Sequence, residues 1–277
     1  MKTRMQPLQI GLFVAFFSFL QIASFAQRGG LQIEGKEVFK NDDVVFHQID
    51  EHTWVGSGHM MANESLYLVE GNDKAVLIDA GTRITDLDKI VASITKKPMM
   101  LVATHLHPDH TGSAVNYFPE IYINEADAVS IPQFMPNYKG KVMYFKDGEI
   151  IDLGGRKLEV VFTPAHTPGS TTFIDKSAGY GFSGDSFGSG NLLLSGTFST
   201  LIATCQKTSA MMEKYGIKHL YPGHYFGKNV ETKQRVDDMI TLSKDVLSGK
   251  VKGEAGPRGM IISAYGVRIN YSERSMK

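Results

Sequence analysis

Three histidines and an aspartate lie within six positions of the stretch THLHPDHTGS, which covers residues 104–113. Imidazole and carboxylate groups are common protein ligands of zinc and related metal ions. Since the chain has only nine histidines in 277 residues, three in one short window indicate a metal site rather than chance. A polar surface loop is the alternative, but the apolar run at 99–103 precedes the histidines. Loops that follow buried strands are where α/β proteins place ligand sites.

The spacing of these residues predicts two groups of ligands. In an extended chain, residues i and i+2 point to the same side, so His105 and His107 can reach one metal ion together. Pro108 favours extended geometry at the residue before it. The chain is expected to turn after Pro108, which would direct Asp109 and His110 toward a second point nearby. The motif therefore supplies two ligands for each of two metal ions.

Three later segments end an apolar run with a ligand-type residue in a turn that contains glycine or proline. Each segment alone is weak evidence, because a lone histidine after a strand is more often an ordinary loop residue. Their joint occurrence in one chain indicates that they complete the two ligand groups. The residues concerned are His166, Asp185 and His224, after the runs 160–162, 180–182 and 219–221.

The order of these residues resembles the metallo-β-lactamase superfamily: H-x-H-x-D-H, a later histidine, an aspartate and a last histidine. Residues 77–81, LIDAG, match the first motif of that family, and the resemblance covers residues 27 to about 227. It implies an α/β fold, the four-layer αββα sandwich, with the metal site at one edge. It also implies that His105, His107 and His166 bind a first zinc ion, that Asp109, His110 and His224 bind a second, that Asp185 bridges both, and that Asp79 orients ligands from behind them.

The two metal ions determine the expected chemistry. Zinc lowers the pKa of bound water to roughly 7, so a hydroxide that bridges two Zn²⁺ ions is a nucleophile at neutral pH. Asp109 is the predicted catalytic residue, which would orient the hydroxide or transfer its proton. The predicted reaction is hydrolysis of an ester, thioester, lactone or amide in a small-molecule substrate. Iron is a possible alternative to zinc, because imidazole ligands also suit iron.

Other activities stay open on the same scaffold. Residues 166–172, HTPGSTT, resemble the matching stretch of the B3 metallo-β-lactamases, so hydrolysis of β-lactam antibiotics is the alternative function. Against it, Asp185 occupies a position where the resemblance places cysteine or serine in β-lactamases and aspartate in general hydrolases. An iron-dependent oxidoreductase and a non-catalytic binding protein are less favoured, because all seven ligand positions are present.

Two short segments offer candidate contacts with a substrate. Residues 56–63, GSGHMMAN, join two predicted strands, and in the family this connection often overhangs the site. His59, Met60 and Met61 are therefore candidates, although an ordinary exposed turn explains the segment equally well. Tyr225 directly follows His224 and is a candidate wall of the pocket.

Hydrophobic periodicity and turn residues predict the elements that position these residues. Paired strands come first, strand–helix units follow, then two hairpins, then strand–helix units again. This order predicts two packed sheets with helices outside. The predicted strands are 44–49, 53–55, 65–70, 74–79, 99–103, 120–123, 150–153, 157–162, 171–175, 180–182 and 217–221, and the predicted helices are 84–95, 126–129, 201–215 and 230–247.

The first 26 residues have the features of a signal peptide. Lys2 and Arg4 precede the apolar run 10–20, and Ala-Ser-Phe-Ala at 23–26 is typical of cleavage before Gln27. The run is shorter than the roughly 20 residues that span a bilayer. We therefore expect an exported protein, periplasmic or secreted, with no membrane attachment after cleavage.

Residues 27–277 suit one domain, with a C-terminal extension at 250–277 that begins in the Gly-rich stretch 249–259. These residues hold 27 basic and 29 acidic side chains, a net charge of −2 without a basic patch, which argues against nucleic acid as a partner. The one cysteine, Cys205, excludes an internal disulfide and is predicted to be a buried thiol. No motif predicts an oligomeric state.

Overall fold

The computed structural model describes residues 33–61, 63–257 and 259–277. The predicted signal peptide, residues 1–26, lies outside the described residues. In the described part of the chain, no helix is both long and apolar enough to span a bilayer. The strands are β1 (Lys36–Lys40), β2 (Val44–Asp50), β3 (Thr53–Gly58), β4 (Ser65–Glu70), β5 (Ala75–Ile78), β6 (Met99–Val102), β7 (Glu120–Ile123), β8 (Lys141–Tyr144), β9 (Ile150–Asp152), β10 (Lys157–Phe162), β11 (Thr171–Asp175), β12 (Tyr180–Gly184), β13 (Leu192–Leu193), β14 (His219–Pro222), β15 (Glu231–Thr232), β16 (Glu254–Gly256), β17 (Gly259–Ala264) and β18 (Val267–Tyr271).

Four α-helices connect or cover these strands in the described residues. They are α1 (Leu87–Ile94), α2 (Ile131–Phe134), α3 (Phe198–Tyr215) and α4 (Lys233–Leu247), and short 3-10 helices occur at Ser113–Tyr117, Glu125–Ser130, Gly188–Gly190 and Glu273–Ser275.

The strands form three sheets. The first has the order β1-β2-β3-β4-β5-β6-β7-β8, antiparallel up to β5 and parallel from β5 onward. The second has the order β15-β14-β12-β11-β10-β9, in which β12 and β14 are parallel. A smaller sheet, β13-β18-β17-β16, is built mainly from the end of the chain.

Alternating side chains of the central strands are buried on both faces of the first sheet. In β4, Leu66 and Leu68 belong to the core that contains Leu87 of α1, whereas Tyr67 and Val69 belong to the core between the two large sheets. This is the expected alternation of a strand with a layer on each side. Each fully buried apolar side chain contributes roughly 1.5–3 kcal/mol, so both layers stabilise the sheet.

A third core covers the outer face of the second sheet. There α3 and α4 pack with the small C-terminal sheet around Phe198, Val236, Met239 and Ile269. Three cores between four layers are the αββα sandwich, so the predicted fold is confirmed. The hairpins β9–β10 and β11–β12 are also confirmed.

The ends of several helices differ from the predicted bounds. Helix α1 begins at Leu87 rather than at residue 84, because Asp86 has a left-handed backbone with φ 54°. The helix predicted at 126–129 is the 3-10 helix Glu125–Ser130. Helix α3 begins three residues earlier than predicted, where the Thr197 side chain accepts a hydrogen bond from the amide of Thr200, and ends at the left-handed Gly216.

The predicted C-terminal extension is part of the sandwich. Strand β18 pairs in parallel with β13 and antiparallel with β17, and Ile262, Val267, Ile269 and Tyr271 are buried in the core that α3 and α4 share. The Gly-rich stretch predicted at 249–259 contains β16 and does not separate the segment from the body.

A buried cluster of polar side chains joins the two large sheets at one end of their strands. The Arg156 guanidinium donates to Asp175 at 2.5 Å, to the Thr53 hydroxyl at 2.9 Å and to the Tyr180 hydroxyl at 2.9 Å. It also donates to the backbone carbonyl of His52 at 2.9 Å. Strand β12 starts at Tyr180 in this cluster and runs toward Asp185 at the opposite end of the sandwich.

Candidate metal centre

Each predicted ligand follows the C-terminal end of a strand. Asp79 comes directly after β5, and the loop with the three clustered histidines follows β6, the parallel neighbour of β5. His166 follows β10, Asp185 follows β12, and His224 follows β14 in the second sheet. Since these strands run in the same direction toward one edge of the sandwich, the two sheets deliver their ligands to one place.

The loop after β6 turns as its sequence predicts. The amides of His110 and Thr111 both donate to the carbonyl of His107, at 3.0 and 2.8 Å, so the chain reverses after Pro108. The amide of Ala80 donates to the carbonyl of His110 at 2.8 Å, which fixes this turn to the end of β5.

The first group consists of His105, His107 and His166. Their ring nitrogens face one another: Nδ1 of His107 lies 3.1 Å from Nε2 of His105 and 2.8 Å from Nε2 of His166. The Nδ1 of His166 donates to the Leu193 carbonyl at 2.9 Å, so its Nε2 carries a lone pair. The Thr104 hydroxyl donates to Asp79, so Nδ1 of His105 donates to that hydroxyl and its Nε2 also carries a lone pair.

The second group consists of Asp109, His110 and His224, with Asp185 between the groups. Oδ2 of Asp109 lies 3.5 Å from Nε2 of His224 and 3.9 Å from Nε2 of His110. Oδ2 of Asp185 lies 3.4, 3.8 and 3.7 Å from Nε2 of His224, His110 and His166. One oxygen of Asp185 therefore faces histidines from both groups.

Burial and neighbouring charge give the histidines of the two groups opposite pKa shifts. Burial and the adjacent imidazoles hold the pKa of His105 well below its usual range, and burial with His166 lowers the pKa of His107 to about 4. Burial also opposes the charged form of His110, but the carboxylates of Asp79, Asp185 and Asp109 outweigh it and raise its pKa to about 10. His105 and His107 are thus held neutral, whereas His110 lies in a strongly negative field.

Asp79 holds the ligands from behind. Its backbone is left-handed, with φ 65°, and its buried carboxylate accepts hydrogen bonds from the Thr104 amide at 2.7 Å, the Thr104 hydroxyl at 2.8 Å and Nδ1 of His110 at 2.8 Å. The bond to His110 turns its Nε2 into the centre, where it is buried and without a hydrogen-bond partner among the described residues, and a metal ion that replaced the proton there would find a lone pair.

Two glycines make room for this convergence. A Cβ at Gly223 would lie 2.7 Å from Cε1 of His110 and nearer still to Oδ1 of Asp185. A Cβ at Gly184 would overlap the side chain of Thr104, and Gly184 has a left-handed φ of 51°. The ligand-bearing loops of the two sheets can approach this closely only because these positions lack side chains.

Asp127 is a site residue that the sequence does not reveal. Its buried carboxylate accepts hydrogen bonds from the Leu106 amide at 2.9 Å, the Thr167 hydroxyl at 2.8 Å and the Gly169 amide at 2.7 Å. It therefore ties the loop that carries His105 and His107 to the loop that carries His166. The only sequence signal is an acidic residue placed after a strand, in the Asn124-capped turn INEADAV.

The candidate substrate contacts lie in different environments. His59, Met60 and Met61 are exposed, with Met60 and Met61 52% and 45% accessible, and the Met61 amide donates to the buried carboxylate of Glu64. Tyr225 is buried in the core between the sheets, and its hydroxyl donates to the carbonyl of Gly227 at 2.9 Å. Tyr225 thus packs in the core instead of forming a pocket wall.

A groove of about 530 Å³ opens beside His107 and His166. None of the four candidate substrate contacts lines it; its walls come instead from α2, the loop after His166, residues 193–195 and residues 270–274. Another cavity, of about 350 Å³, lies at β9 and β10 beside Lys157 and contains none of the predicted ligands.

The arrangement fits two metal ions of the zinc type. Three sets of side chains can each hold an ion with ligand atoms within 4.8 Å of one another: His105, His107 and His166; His105, His110 and Asp185; Asp109, His110 and His224. A tetrahedral zinc ion with bonds of roughly 2.0–2.1 Å places its ligands about 3.3 Å apart, and the contacts above, 2.8–3.9 Å, bracket that spacing. A metal ion in each group would give these buried nitrogens and carboxylates a common partner. Metal binding itself stays a prediction.

Comparison with known proteins identifies a family and several relatives. The family model of the metallo-beta-lactamase superfamily matches residues 63–247. The chain is 25% identical over 202 residues to the human acyl-coenzyme A thioesterase MBLAC2, covering 58% of this chain and 72% of the relative.

Solved structures resemble the fold. A metallo-beta-lactamase from Pontibacter korlensis superposes with a TM-score of 0.57 at 19% identity, covering 73% of this chain and all of that one. A metallo beta lactamase from Erythrobacter litoralis, with beta mercaptoethanol in its active site, gives a TM-score of 0.57 at 16% identity and covers 75% of this chain and 99% of that one.

Proposed function

The chain belongs to the metallo-β-lactamase superfamily, and from this premise we propose that it is a dinuclear-zinc hydrolase that cleaves an acyl thioester or a related ester, lactone or amide. The observation that carries the proposal is the position of Asp185, whose Oδ2 faces Nε2 of His110, His166 and His224 within 4 Å. A carboxylate at that point joins two ligand groups into one centre. Thioesters come first because relatives at about 25% identity carry the name acyl-coenzyme A thioesterase.

When bound, zinc ions would polarise a substrate carbonyl and lower the pKa of a water molecule. The side chains supply the remaining functions. His105, His107 and His166 would hold one ion, and His110, His224 and Asp109 would hold the other. Asp109 is partly accessible, and its Oδ2 lies 3.5 Å from Nε2 of His224 and 3.9 Å from Nε2 of His110, so we assign it the role of accepting a proton from the attacking water and returning it to the leaving group.

The proposal is tested with purified, zinc-loaded protein. Acyl thioesters, aryl esters, lactones and the β-lactam nitrocefin are compared as substrates, and thioesters are expected to give the highest kcat/KM. Preferred cleavage of nitrocefin would instead support the β-lactamase alternative. Metal analysis of protein purified without added metal is expected to give two zinc ions per chain, and iron would contradict the assignment.

Asp109→Ala tests the proposed proton transfer. We expect turnover to fall by about 100-fold or more, in keeping with the 10²–10⁴-fold contribution of general acid–base groups. Asp42→Ala, at an exposed position on the surface, is the matched control and should keep the wild-type rate. A wild-type rate in Asp109→Ala would refute the role of this carboxylate.

We also propose that the protein is exported, on the evidence of residues 1–26 alone. Expression of the full chain in a Gram-negative host, followed by N-terminal sequencing of the periplasmic fraction, is expected to give a mature protein that starts at Gln27. Retention of residue 1 in cytoplasmic protein would contradict export.

A further inference from the structure

The groove beside His107 and His166 has one mainly apolar side. Leu106, Phe134, Leu193 and Tyr271 line it, and the ring of Phe134 meets the ring of His107 edge to face at 5.3 Å. Since the groove reaches two ligands of the first group, a substrate lying in it would place its reacting carbonyl next to the centre. The apolar lining suits an acyl chain.

Apart from the histidines, two charged side chains line the groove, Asp127 and Arg274. The carboxylate of Asp127 is buried, and both of its oxygens already accept hydrogen bonds from the loops that it joins. Arg274 is exposed and forms no ion pair or side-chain hydrogen bond with any residue in the described ranges. Its charge is therefore the one charge of the groove that is left for a ligand.

Two polar side chains of the groove already have partners. The side-chain amide of Asn270 donates to Oδ1 of Asn191 at 2.6 Å, and the Ser195 hydroxyl donates to the carbonyl of His166 at 2.5 Å. Among the residues that line the groove, Arg274 offers charged donors without a partner in the described ranges, and its planar fork matches a carboxylate or a phosphate.

The backbone that carries Arg274 is fixed on both sides. Tyr271 precedes it and packs against Phe198 of α3 at 5.0 Å. Ser275 follows it, is fully buried, and its amide donates to the carbonyl of Ser272 at 2.9 Å. The backbone at residue 274 is therefore held beside the groove by a segment anchored to α3, and the side chain of Arg274 extends from this fixed point.

We propose that Arg274 is a specificity-determining residue that binds an anionic group of the substrate while the acyl part lies along the apolar side of the groove. This inference rests on the proposed hydrolase function and names the substrate class: an acyl thioester or ester that carries a carboxylate or phosphate. The anion belongs either to the acyl chain or to the thiol carrier, and both sources offer the same chemistry to a guanidinium.

Three thioesters distinguish an anion on the acyl chain from an anion on the thiol carrier. Butyryl-N-acetylcysteamine is neutral, butyryl-coenzyme A carries phosphates on the thiol, and adipoyl-N-acetylcysteamine carries a carboxylate on the acyl chain. In Arg274→Gln we expect kcat/KM to fall about 10- to 100-fold for at least one anionic thioester, as loss of a charge-assisted hydrogen bond predicts, and less than twofold for the neutral one. The thioester for which kcat/KM falls shows whether Arg274 binds an anion of the acyl chain or of the thiol carrier.

Two further variants serve as controls for Arg274→Gln. Arg274→Lys keeps the charge and should recover part of the loss, and Arg268→Gln, on the exposed side of β18, should change none of the three rates. An equal loss on all three thioesters, or no loss on any, would overturn the proposal.

Failure of the wild type to cleave any thioester would contradict the thioesterase assignment without deciding the role of Arg274. For that case, binding of the uncleavable thioether S-butyl-coenzyme A and of adipate is measured by calorimetry. At least one is expected to bind about tenfold more weakly to Arg274→Gln than to Arg268→Gln. Unchanged binding of both would overturn the proposal.

Discussion

The carboxylate of Asp79 and Nδ1 of His110 share a 2.8 Å hydrogen bond inside the protein, and this bond turns Nε2 of His110 toward Asp185. Asp79 sits directly after β5 and His110 in the loop after β6, so two parallel neighbours set the orientation of one ligand. Residues that orient metal ligands from outside commonly account for 10- to 100-fold in metal affinity.

Asp79→Asn is expected to weaken zinc binding at the second group by about that factor. Asparagine tolerates the left-handed backbone at this position, so the fold should persist. In Asp79, Oδ1 accepts from the Thr104 amide and Oδ2 from Nδ1 of His110, and the single carbonyl oxygen of asparagine cannot replace both. An amide group that faced Nδ1 of His110 would move the proton of the imidazole to Nε2. Zinc titration against a competing chelator measures the change.

The control for this variant is Asp86→Asn, at a left-handed position outside the site. Its zinc affinity should equal that of the wild type. Unchanged affinity in Asp79→Asn would show that the carboxylate does not orient His110.

Asp127→Ala is expected to destabilise the protein and to release metal from the first group. The substitution leaves the buried amides of Leu106 and Gly169 without their acceptor, at a cost of about 1–3 kcal/mol each. Urea denaturation measures the stability, and metal analysis after dialysis measures retention. Glu125→Gln, exposed in the same 3-10 helix, is the matched control and should behave like the wild type. Full metal retention in Asp127→Ala would contradict a positioning role.

Gly223→Ala is expected to reduce activity about 100-fold or more without unfolding the protein. The added methyl group would overlap Asp185 and crowd His110, so both must move from the positions in which they face each other. Misplacement of a reacting group by about 1 Å can cost 10²-fold in rate. In Gly196→Ala, the nearest atom to the new Cβ lies 3.4 Å away, so this variant should stay active. Equal activity of the two variants would argue against a tightly packed centre.

Cys205 is expected to be unreactive in the native protein. It is fully buried in α3, and burial together with the carboxylates of Glu231 and Asp237 raises the pKa of its thiol, while the thiolate is the reactive form. Because the pKa is raised, increasing the pH from 7 to 9 should not form the thiolate. Ellman's reagent should therefore detect one thiol only after denaturation. Ser248→Cys, which is exposed after α4, is the control that should react in the native state.

Local patterns in the sequence predict much of the site. The ligand-type residues are recognisable because each follows an apolar strand and because His105, His107, Asp109 and His110 are close together in the chain. The structure brings these residues together with His166, Asp185 and His224, as described above. Asp127 and Arg274 could not be found in this way, since their roles depend on contacts with segments distant in the chain.

The elements that the sequence does not predict have weak patterns for physical reasons. Strands β1 and β8 form the two edges of the first sheet, and most of their side chains are exposed or only partly buried. Edge strands with lysines lack the alternation that marks a half-buried strand. Strand β16 lies within a Gly-rich stretch that resembles a linker, β17 and β18 come after it, and only the packing of β17 and β18 with α3 and α4 shows that the segment belongs to the body.

The Arg156 cluster and the ligand centre lie at opposite ends of β12, and each of them joins the first large sheet to the second. One end of the sandwich is therefore joined by the hydrogen bonds of Arg156, which needs no metal, and the other end by the residues of the proposed metal centre. If a chelator removed the proposed metal ions, the carboxylates of Asp109 and Asp185 would lose their counter-charge, whereas Arg156 would still hold Asp175 in place. The end of the sandwich that carries the ligands should then unfold before the end that carries Arg156. Metal supply would therefore affect the lifetime of the folded protein as well as its catalytic rate.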